Sequence, residues 1–312
     1  MKKIAFVNGE KAYQILLNLG YKMSQAQKLI DKKRLFNLDE IVISKNQILN
    51  GDVFLIDYEC EPKGLEPIFE DEILATFDKP SGVLTHPNGR NSNYSMNDEI
   101  WSKFGRDASV AHRLDKETSG VLLVAKNKTV EKELKLKFQN LEVKKTYFAM
   151  VKGIVEKNFT VENFLNTDKT ATSLKNKVFV QTSGKFAKTE FEIVQIYEKI
   201  GFTLLKCIPK TGRQHQIRVQ LFHVKHPIVG DTLYGISDKF ASDFLDEKVS
   251  VESRVKITGA KRLLLHSQSL EFEFNGKTYN IKSNFDAKNE FEKLIGFYEI
   301  WKWQSNNNYL FC

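Results

Sequence analysis

Beyond residue 64 the chain is a succession of short segments rich in β-branched and aromatic residues, and few stretches show helical spacing. Segments of this kind, bounded by Gly, Pro, Asn and Asp, are typical of β-strands. The segments that we predict as strands are 73–77, 120–125, 147–151, 202–208 and 270–274. Apolar residues at helical spacing predict one long helix from Thr129 to about Leu141 and another from Phe291 to Trp301. The pattern therefore predicts a mixed α+β fold.

The first 60 residues form a separate small unit. The segment Cys60-Glu61-Pro62-Lys63-Gly64 fits neither the helical nor the strand periodicity, so we interpret it as a linker. Before it, Ser24 is placed to cap a helix that continues to Ile30, and two short strands follow. At 312 residues the chain has the length of about two domains, which we place at 1–60 and 61–312.

The charge of the chain favours an anionic partner. There are 47 Lys and Arg residues against 39 Asp and Glu residues, which gives a formal net charge of +8. Nucleic acid is one such partner, although a modestly basic protein can also carry its excess charge on a solvated surface. A group of cations near the end of the first helix is either a solvated helix end or a patch that contacts RNA phosphates. Its members are Lys28, Lys32, Lys33 and Arg34.

Other sequence features indicate where in the cell the protein is located and which cofactors are not expected. The longest apolar stretches, such as 121–125, are far shorter than the ~20 residues of a membrane helix, and polar residues 8–10 come too early for a signal peptide. The three cysteines form no C-x-x-C pair, so we expect reduced thiols and a cytoplasmic protein. G-x-G-x-x-G, Walker A, H-E-x-x-H and G-x-S-x-G motifs do not occur. We therefore expect no nucleotide cofactor and no metal ion.

An unusual cluster of ionisable residues, H-R-L-D-K-E-T-S-G, spans 112–120. Asp115 lies between cations, which favour the ionised carboxylate at neutral pH. An ionised aspartate on a loop before a strand suits nucleophilic or general-base catalysis. The alternative is a structural aspartate in a turn that is held by ion pairs.

A second cluster, T-G-R-Q-H-Q-I-R at 211–218, predicts the start of a helix. Thr211 and Gln214 fit a capping box, which places Arg213 in the first helical turn. An arginine is unfavourable there unless an anion compensates, because a helix N-terminus carries positive partial charge. Asp115 and a substrate phosphate are candidates for that anion, and an exposed surface position for Arg213 is the alternative.

A third element places Tyr147 near the start of a predicted strand, after the basic pair Lys144 and Lys145. Most tyrosines in such strands pack in a core or along a sheet edge. An aromatic ring at this position also suits stacking on a base that is flipped out of RNA. We expect the two lysines to contact RNA phosphates.

Taken together, these segments resemble the RluA-type family of RNA pseudouridine synthases, in order over most of residues 70 to 285. Segment 79–87 is similar to the family's first motif, and segment 112–120 is similar to H-R-L-D-x-x-T-S-G. Segment 145–153 is similar to K-x-Y-x-A-x-V-x-G, and segment 211–218 is similar to T-G-R-x-H-Q-I-R. The segments 226–231 and 262–266 also match. Gln220 departs from the pattern, because the family commonly has histidine there, and it puts helix packing or an RNA contact in question. Residues 1–60 more weakly resemble the alpha-L RNA-binding module that often precedes this domain.

The resemblance implies catalytic roles for three residues. Asp115 would be the essential aspartate, Tyr147 the active-site tyrosine and Arg213 the arginine that pairs with the aspartate. Arg113 would help to displace or replace the target base. The other residues that we expect to contact the substrate are His112, Lys79, His86, Thr118, His215 and Arg218.

The implied reaction converts uridine into pseudouridine by breaking the N1–C1′ bond, turning the uracil and rejoining it through C5, without a cofactor. Attack of Asp115 on C1′ and removal of a sugar proton by Asp115 both stay open. Large-subunit ribosomal RNA is the expected substrate, tRNA is the second, and we expect a monomer. The implied fold is α+β, a largely antiparallel mixed sheet flanked by helices after a small α+β RNA-binding domain.

Two alternatives remain for the function. One is a non-catalytic RNA-binding or ribosome-assembly protein on the same scaffold, although Asp115, Tyr147 and Arg213 are all present. The other is a cofactor-free hydrolase that uses Asp115 with His112 or His215, and free uracil as a product would distinguish it.

Overall fold

The chain forms two compact units, Met1–Cys60 and Glu61–Cys312. The structure is a computed structural model that describes residues 1–56, 60–87, 94–167, 174 and 177–295. No helix in these ranges is long and apolar enough to cross a membrane.

The first unit is an antiparallel sheet with two helices on it. The elements are β1 (Lys2–Lys11), α1 (Ala12–Asn18), α2 (Met23–Asp31), β2 (Leu35–Asn37), β3 (Glu40–Ile41) and β4 (Ile48–Leu55), with strand order β1-β4-β2-β3. Leu16 and Ile30 of the two helices pack with Val53 of β4 in a common apolar core. The predicted helix is therefore present, but the prediction that Ser24 caps it is wrong, because α2 begins at Met23.

The end of α2 fixes the position of the predicted cation patch. Lys33 adopts a left-handed conformation (φ 55°), its N–H donates to Ile30 O, and the Arg34 N–H donates to Leu29 O. These two bonds form a Schellman motif, which satisfies carbonyl groups at the helix end and turns the chain towards β2. The Lys32, Lys33 and Arg34 side chains are thus presented on a defined turn.

The second unit is built on an 11-stranded sheet. Its strands are β5 (Phe69–Glu70), β6 (Leu74–Lys79), β7 (Ser109–Val110), β8 (Ser119–Ala125), β9 (Lys144–Lys152), β10 (Phe159–Thr167), β11 (Val178–Gln181), β12 (Lys185–Tyr197), β13 (Phe202–Pro209), β14 (Leu265–Phe274) and β15 (Lys277–Lys282). The order is β11-β10-β12-β13-β9-β14-β8-β6-β5, with β15 beside β14 and β7 beside β8. All neighbours are antiparallel except the β14–β8 pair. The predicted α+β class with a largely antiparallel mixed sheet is confirmed.

Helices cover both faces of this sheet. They are α3 (Met96–Phe104), α4 (Lys128–Gln139), α5 (Gln216–His223), α6 (Asp238–Leu245), α7 (Val251–Thr258) and a helical segment at 287–295. Ile217 of α5 packs with Phe191 and Cys207 on one face, whereas Phe291 packs with Leu204 in another cluster, on the opposite face.

The five strands predicted from the sequence all exist, although β14 begins at Leu265 rather than at residue 270. The predicted helix 129–141 corresponds to α4. Phe291 lies in a helix as predicted, whereas the rest of that prediction, from residue 296 to Trp301, lies outside the described residues.

Candidate active site

Asp115 lies in the loop that joins β7 to β8. The Thr118 N–H donates to the Asp115 carbonyl oxygen (3.1 Å), so the chain turns back immediately into β8. The carboxylate remains 28% exposed, which leaves it open to a substrate. After this turn Gly120 (φ +109°) comes so close to β14 that a Cβ atom there would lie 2.2 Å from Ser267 O. Only glycine allows this approach, which places the loop at the junction of β8 and β14.

The segment 79–85 holds the Asp115 loop in place through backbone and hydroxyl groups. The bonds join Gly82 N to Lys116 O (2.9 Å), Ser81 Oγ to Glu117 O (2.6 Å) and Thr85 Oγ1 to Leu114 O (2.7 Å). Because the acceptors are the carbonyl groups on both sides of Asp115, the backbone of this residue is fixed independently of its side chain.

Lys79 contributes to the same restraint from inside the protein. Its ammonium group donates to the carbonyl oxygens of Pro80 (2.9 Å), Val83 (2.7 Å) and Lys116 (3.0 Å), and the residue is 1% exposed. Burial lowers the pKa of Lys79 to about 7, against the attraction of nearby carboxylates. The structure thus contradicts the predicted substrate contact, because all three N–H donors of the Lys79 ammonium group are used by backbone carbonyl oxygens.

The arginine beside Asp115 is Arg218. Its Nη1 donates to Asp115 Oδ2 at 3.2 Å, while its Nε and Nη2 donate to the two carboxylate oxygens of Asp231, each at 2.8 Å. Burial by itself would raise the pKa of Asp231, but Arg218 lowers it below its usual value. Both members of this buried pair are therefore charged at neutral pH, and the guanidinium plane is fixed by a bidentate contact.

Arg213 does not reach the aspartate, so its predicted pairing is wrong. The predicted capping box is not formed, because Thr211 Oγ1 donates to Gln216 Oε1 (2.6 Å) and α5 begins only at Gln216. Arg213 therefore precedes the helix, where it is exposed and its Nε donates to Phe186 O (2.9 Å). Arg218, which we had predicted as a substrate contact, occupies the position beside Asp115.

His215 also belongs to this cluster. It precedes α5 in a left-handed conformation (φ 53°), with Nε2 3.7 Å from Asp115 Oδ2 and Nδ1 3.1 Å from the Tyr234 hydroxyl. Burial lowers the pKa of His215, and the charge of Asp115 only partly opposes this effect. The imidazole is thus neutral at pH 7 and lies beside the aspartate, and its predicted contact with the substrate stays a prediction.

Tyr147 extends from β9 on the face of the sheet that carries α5. Burial raises the pKa of Tyr147 to about 12, a hydrogen bond with the Ser267 side chain opposes the rise, and the charge of Asp115 adds to it. The phenol is therefore protonated at neutral pH. It can donate a hydrogen bond or present its ring, but it is a poor base in this state.

Two predicted substrate contacts are structural instead. His112 Nε2 accepts a hydrogen bond from the Leu123 N–H (3.1 Å), and its ring stacks on Phe138 with centroids 4.7 Å apart. Burial lowers the pKa of His112 to about 3, so the ring is neutral and available as that acceptor. Thr118 is buried and supports the Asp115 turn through its backbone. Neither side chain is placed to contact a substrate.

Arg113 and His86 lie at the solvent side of the same loop. Arg113 is exposed, and His86 is half-buried close enough for the arginine charge to act on it. Burial lowers the pKa of His86, and Arg113 lowers it further. Arg113 thus presents an exposed guanidinium two residues before Asp115.

The predicted phosphate contacts differ in their surroundings. The structure contradicts the prediction for Lys145, whose ammonium group is buried and donates to Thr211 O (3.3 Å), with its pKa lowered by burial to about 8. Lys144 is on the surface and pairs with Glu271 (3.0 Å). The four predicted phosphate contacts of the first unit form no ion pair with another described residue. They are Lys28, Lys32, Lys33 and Arg34.

Sequence reasoning did not identify Asp231 as the anchor of Arg218, although the segment 226–231 was among the matching motifs. Gln220, the one departure, is fully buried in α5, where it accepts from Thr189 Oγ1 (2.6 Å) and donates to Asn163 Oδ1 (3.2 Å). Its contribution is therefore helix packing. Among the described residues no group of three or more His, Cys, Asp or Glu side chains is arranged to hold a metal ion.

Comparison with known proteins identifies the family. The family described as RNA pseudouridylate synthase matches residues 73–223. An uncharacterized RNA pseudouridine synthase of Helicobacter pylori is 38% identical over 262 residues, which cover 84% of this chain and 85% of the relative. The dual-specificity RNA pseudouridine synthase RluA of Vibrio cholerae is 35% identical over 66% of this chain and 79% of its own.

A third relative, the ribosomal large subunit pseudouridine synthase C of Buchnera aphidicola, is 35% identical over 69% of this chain and 64% of its own. Among solved structures, human RNA pseudouridylate synthase domain containing 1 shares the fold, with a TM-score of 0.57 and 21% identity over 72% of this chain and 86% of that chain. The chain belongs to the RluA-type family of RNA pseudouridine synthases, which are isomerases.

Proposed function

We propose that the protein isomerises specific uridines of large-subunit ribosomal RNA, with Asp115 as the catalytic residue and with Arg218 and Tyr147 beside it. The observation that carries this proposal is the partly exposed Asp115 carboxylate, 3.2 Å from an arginine that a second, buried carboxylate holds in place. A structural aspartate in a turn needs no such fixed partner.

The reaction breaks the N1–C1′ bond and forms a C5–C1′ bond, while a proton leaves C5 and another is taken up at N1. Attack on C1′ and removal of a sugar proton both require Asp115 as the carboxylate. Arg218 favours that form by its charge and restricts the direction of the carboxylate by its hydrogen bond. The detached uracil must be retained in the site, away from water, until it has turned.

Tyr147 and the loop backbone complete the site that we propose. The Tyr147 ring offers a surface on which the flipped base stacks, and its hydroxyl, which keeps its proton at neutral pH, is available as a hydrogen-bond donor. The bonds from 79–85 keep Asp115 fixed while the base moves. Moving the target nucleotide into the site costs a few kcal/mol of unstacking, in addition to the barrier for breaking the N1–C1′ bond.

The remaining cations serve RNA binding in this proposal. Arg113 and Arg213 are exposed on loops that flank Asp115 and α5, where Arg113 replaces the flipped base and Arg213 contacts a phosphate. The patch at the end of α2 adds affinity that does not depend on sequence. We propose that the first unit is an RNA-binding module of the alpha-L type on the strength of this patch.

The preference for ribosomal RNA is supported by relatives named ribosomal large subunit pseudouridine synthase C and D, from Buchnera aphidicola, Pasteurella multocida and Xylella fastidiosa. We keep tRNA as the second substrate, and we propose a cytoplasmic monomer that acts without a cofactor.

The test is to map pseudouridine in ribosomal RNA and in tRNA from cells with and without the gene, and to incubate the unmodified RNA with purified protein. We expect one or a few uridines of large-subunit RNA to be isomerised, with no free uracil. Release of uracil would identify a hydrolase, and unchanged maps in both RNA classes would reject the proposed function.

A further inference from the structure

A second concave site lies on the same face of the sheet as Asp115. It is a cavity of about 200 Å³ between the edge strand β11 and the C-terminal half of α5. Val180 of β11 and Phe222 of α5 line it, together with Tyr234. Phe222 is 41% exposed, so its ring is accessible to a ligand in the cavity.

The cavity is linked to the active site by one chain of contacts. The Tyr234 hydroxyl bonds to both the N–H and the carbonyl of Val178, each at 3.1 Å, and lies 3.1 Å from His215 Nδ1. On its other side, His215 Nε2 lies 3.7 Å from Asp115 Oδ2. A ligand in the cavity is thus separated from the active site by the side chains of Tyr234 and His215.

The charges around the cavity favour an anion. Among the described residues, its lining includes Lys177, His223 and Lys225 and no acidic residue. Lys177 is neutralised by Asp238 (2.6 Å), whereas Lys225 is exposed and forms no ion pair with another described residue. The backbone of Lys225 is held in place, because its N–H donates to Phe222 O (3.0 Å) and it is left-handed (φ 70°). An exposed cation on a fixed backbone therefore adjoins an exposed aromatic ring.

We propose that this cavity binds a nucleotide of the RNA strand that flanks the target uridine, with its base against Phe222 and a phosphate at Lys225. Cations that follow the backbone, together with aromatic rings on which bases stack, form the recurring combination in single-strand binding sites. The inference rests on the RNA-modifying function proposed above. It extends that function by a contact that holds the substrate strand outside the catalytic pocket.

The test measures binding of a fluorescently labelled oligouridylate by anisotropy. We expect Phe222→Ala to weaken binding about fivefold or more, since a stacked base contributes at least that much. The matched control is Phe164→Ala, because Phe164 is 42% exposed and its neighbour Leu165 packs with Val219 of α5, so Phe164 faces the other side of the sheet. This control is expected to bind like the unmodified protein.

A second variant tests the phosphate contact without removing an apolar ring. Lys225→Gln is expected to reduce the slope of log K against log salt by about 0.7, the value for one phosphate of a single strand. Lys157→Gln, at an exposed lysine after β9, is the control and is expected to leave the slope unchanged. Thermal melting of each variant excludes a general loss of folding.

Binding is measured without turnover, so a failure of this inference differs from a failure of the proposed function. Unchanged affinity in Phe222→Ala together with an unchanged slope in Lys225→Gln would overturn the site, and so would an equal loss in Phe164→Ala. Absence of pseudouridine formation by a protein that binds RNA through Phe222 would reject the activity and leave the site in place.

Discussion

Arg218 Nη1 lies 3.2 Å from Asp115 Oδ2, and the other side of the same guanidinium is held by both oxygens of Asp231 at 2.8 Å. A planar guanidinium that is fixed on one side has little freedom in the direction of its remaining donors. Asp231 therefore determines where Arg218 points, and Arg218 determines where the reactive carboxylate is held. The two arginine–carboxylate contacts act in series rather than as separate salt bridges.

The two candidate arginines are expected to respond differently to substitution. Arg218→Lys keeps a positive charge but loses the bidentate contact with Asp231, so we expect kcat to fall about 100-fold. Arg213→Lys is the matched control and is expected to change kcat less than about threefold, because the Arg213 side chain is exposed and donates to Phe186 O rather than to Asp115. Single-turnover pseudouridine formation on large-subunit RNA measures both. A larger loss of kcat for the Arg213 variant would restore the pairing predicted from the sequence.

Asp231 is expected to matter for stability as well as for catalysis. Asp231→Asn removes the buried counter-charge of Arg218 and leaves only the partly exposed Asp115, so we expect the free energy of unfolding to fall by about 3 kcal/mol. We also expect kcat to fall while the affinity for RNA is retained, because Asp231 does not reach the surface. Urea denaturation and RNA binding measure these effects. The control is Asp246→Asn, because Asp246 forms an exposed pair with Lys248 and its loss is expected to have no measurable effect. An equal loss of unfolding free energy in both variants would show that Asp231 has no special role.

The cation patch of the first unit is expected to contribute salt-dependent affinity. Changing Lys32, Lys33 and Arg34 together to alanine should reduce the slope of log K against log salt by about 2, if each cation contacts one phosphate. A matched triple alanine variant uses exposed lysines of the second unit, namely Lys157, Lys199 and Lys256. An unchanged slope in the first variant would mean that the patch is only solvated.

His266 is expected to make the second unit sensitive to acid. It is buried between the Ser119 and Ser283 hydroxyls, and burial, followed by the charge of Arg262, lowers its pKa to about 3 from a model-peptide value of 6.5. Between these values the unfolded chain binds a proton that the folded protein does not. The stabilisation from neutral His266 is therefore complete above about pH 6.5 and is lost as the pH falls towards 3, by about 1.4 kcal/mol per pH unit.

The measurement is the free energy of unfolding between about pH 4.5 and about pH 6, an interval that lies between the pKa values of His266 in the folded and the unfolded chain. His266→Gln should lower the slope against pH by about 1.4 kcal/mol per unit. His223→Gln, at an exposed histidine, is the control. Equal slopes for His266→Gln and the unmodified protein would show that His266 is not held neutral.

Local sequence patterns predicted the elements of the fold because their causes are local. Short, nearly continuous apolar runs with β-branched residues in 120–125 and 202–208 are enough to indicate buried strands, and the spacing in 129–141 is enough to indicate α4. The start of α5 is different. Gln216 donates hydrogen bonds to Lys188 O and Thr189 Oγ1 of β12. It also accepts a hydrogen bond from the Thr211 hydroxyl, the group that would have capped a helix in a local capping box. A tertiary contact thus overrides the local signal.

The roles of charged side chains were predicted less well for a related reason. Lys79 and Lys145 are buried, and each donates to a carbonyl group far away in the chain, Lys79 to that of Lys116 and Lys145 to that of Thr211. Lysines are expected to be exposed, and the neighbouring sequence does not indicate that a distant carbonyl group will accept their hydrogen bonds. The family resemblance located the motif around Arg213 correctly, but only the three-dimensional arrangement shows which of its arginines faces Asp115.

The most direct test of the account is the Asp115→Asn variant, assayed by mass spectrometry for pseudouridine in large-subunit ribosomal RNA and by anisotropy for RNA binding. The amide keeps the size of the carboxylate but removes its charge and its basicity. We expect no pseudouridine formation, while RNA binding stays within about threefold, because phosphate contacts provide most of the affinity. Pseudouridine formation at the rate of the unmodified protein would contradict the central role of Asp115.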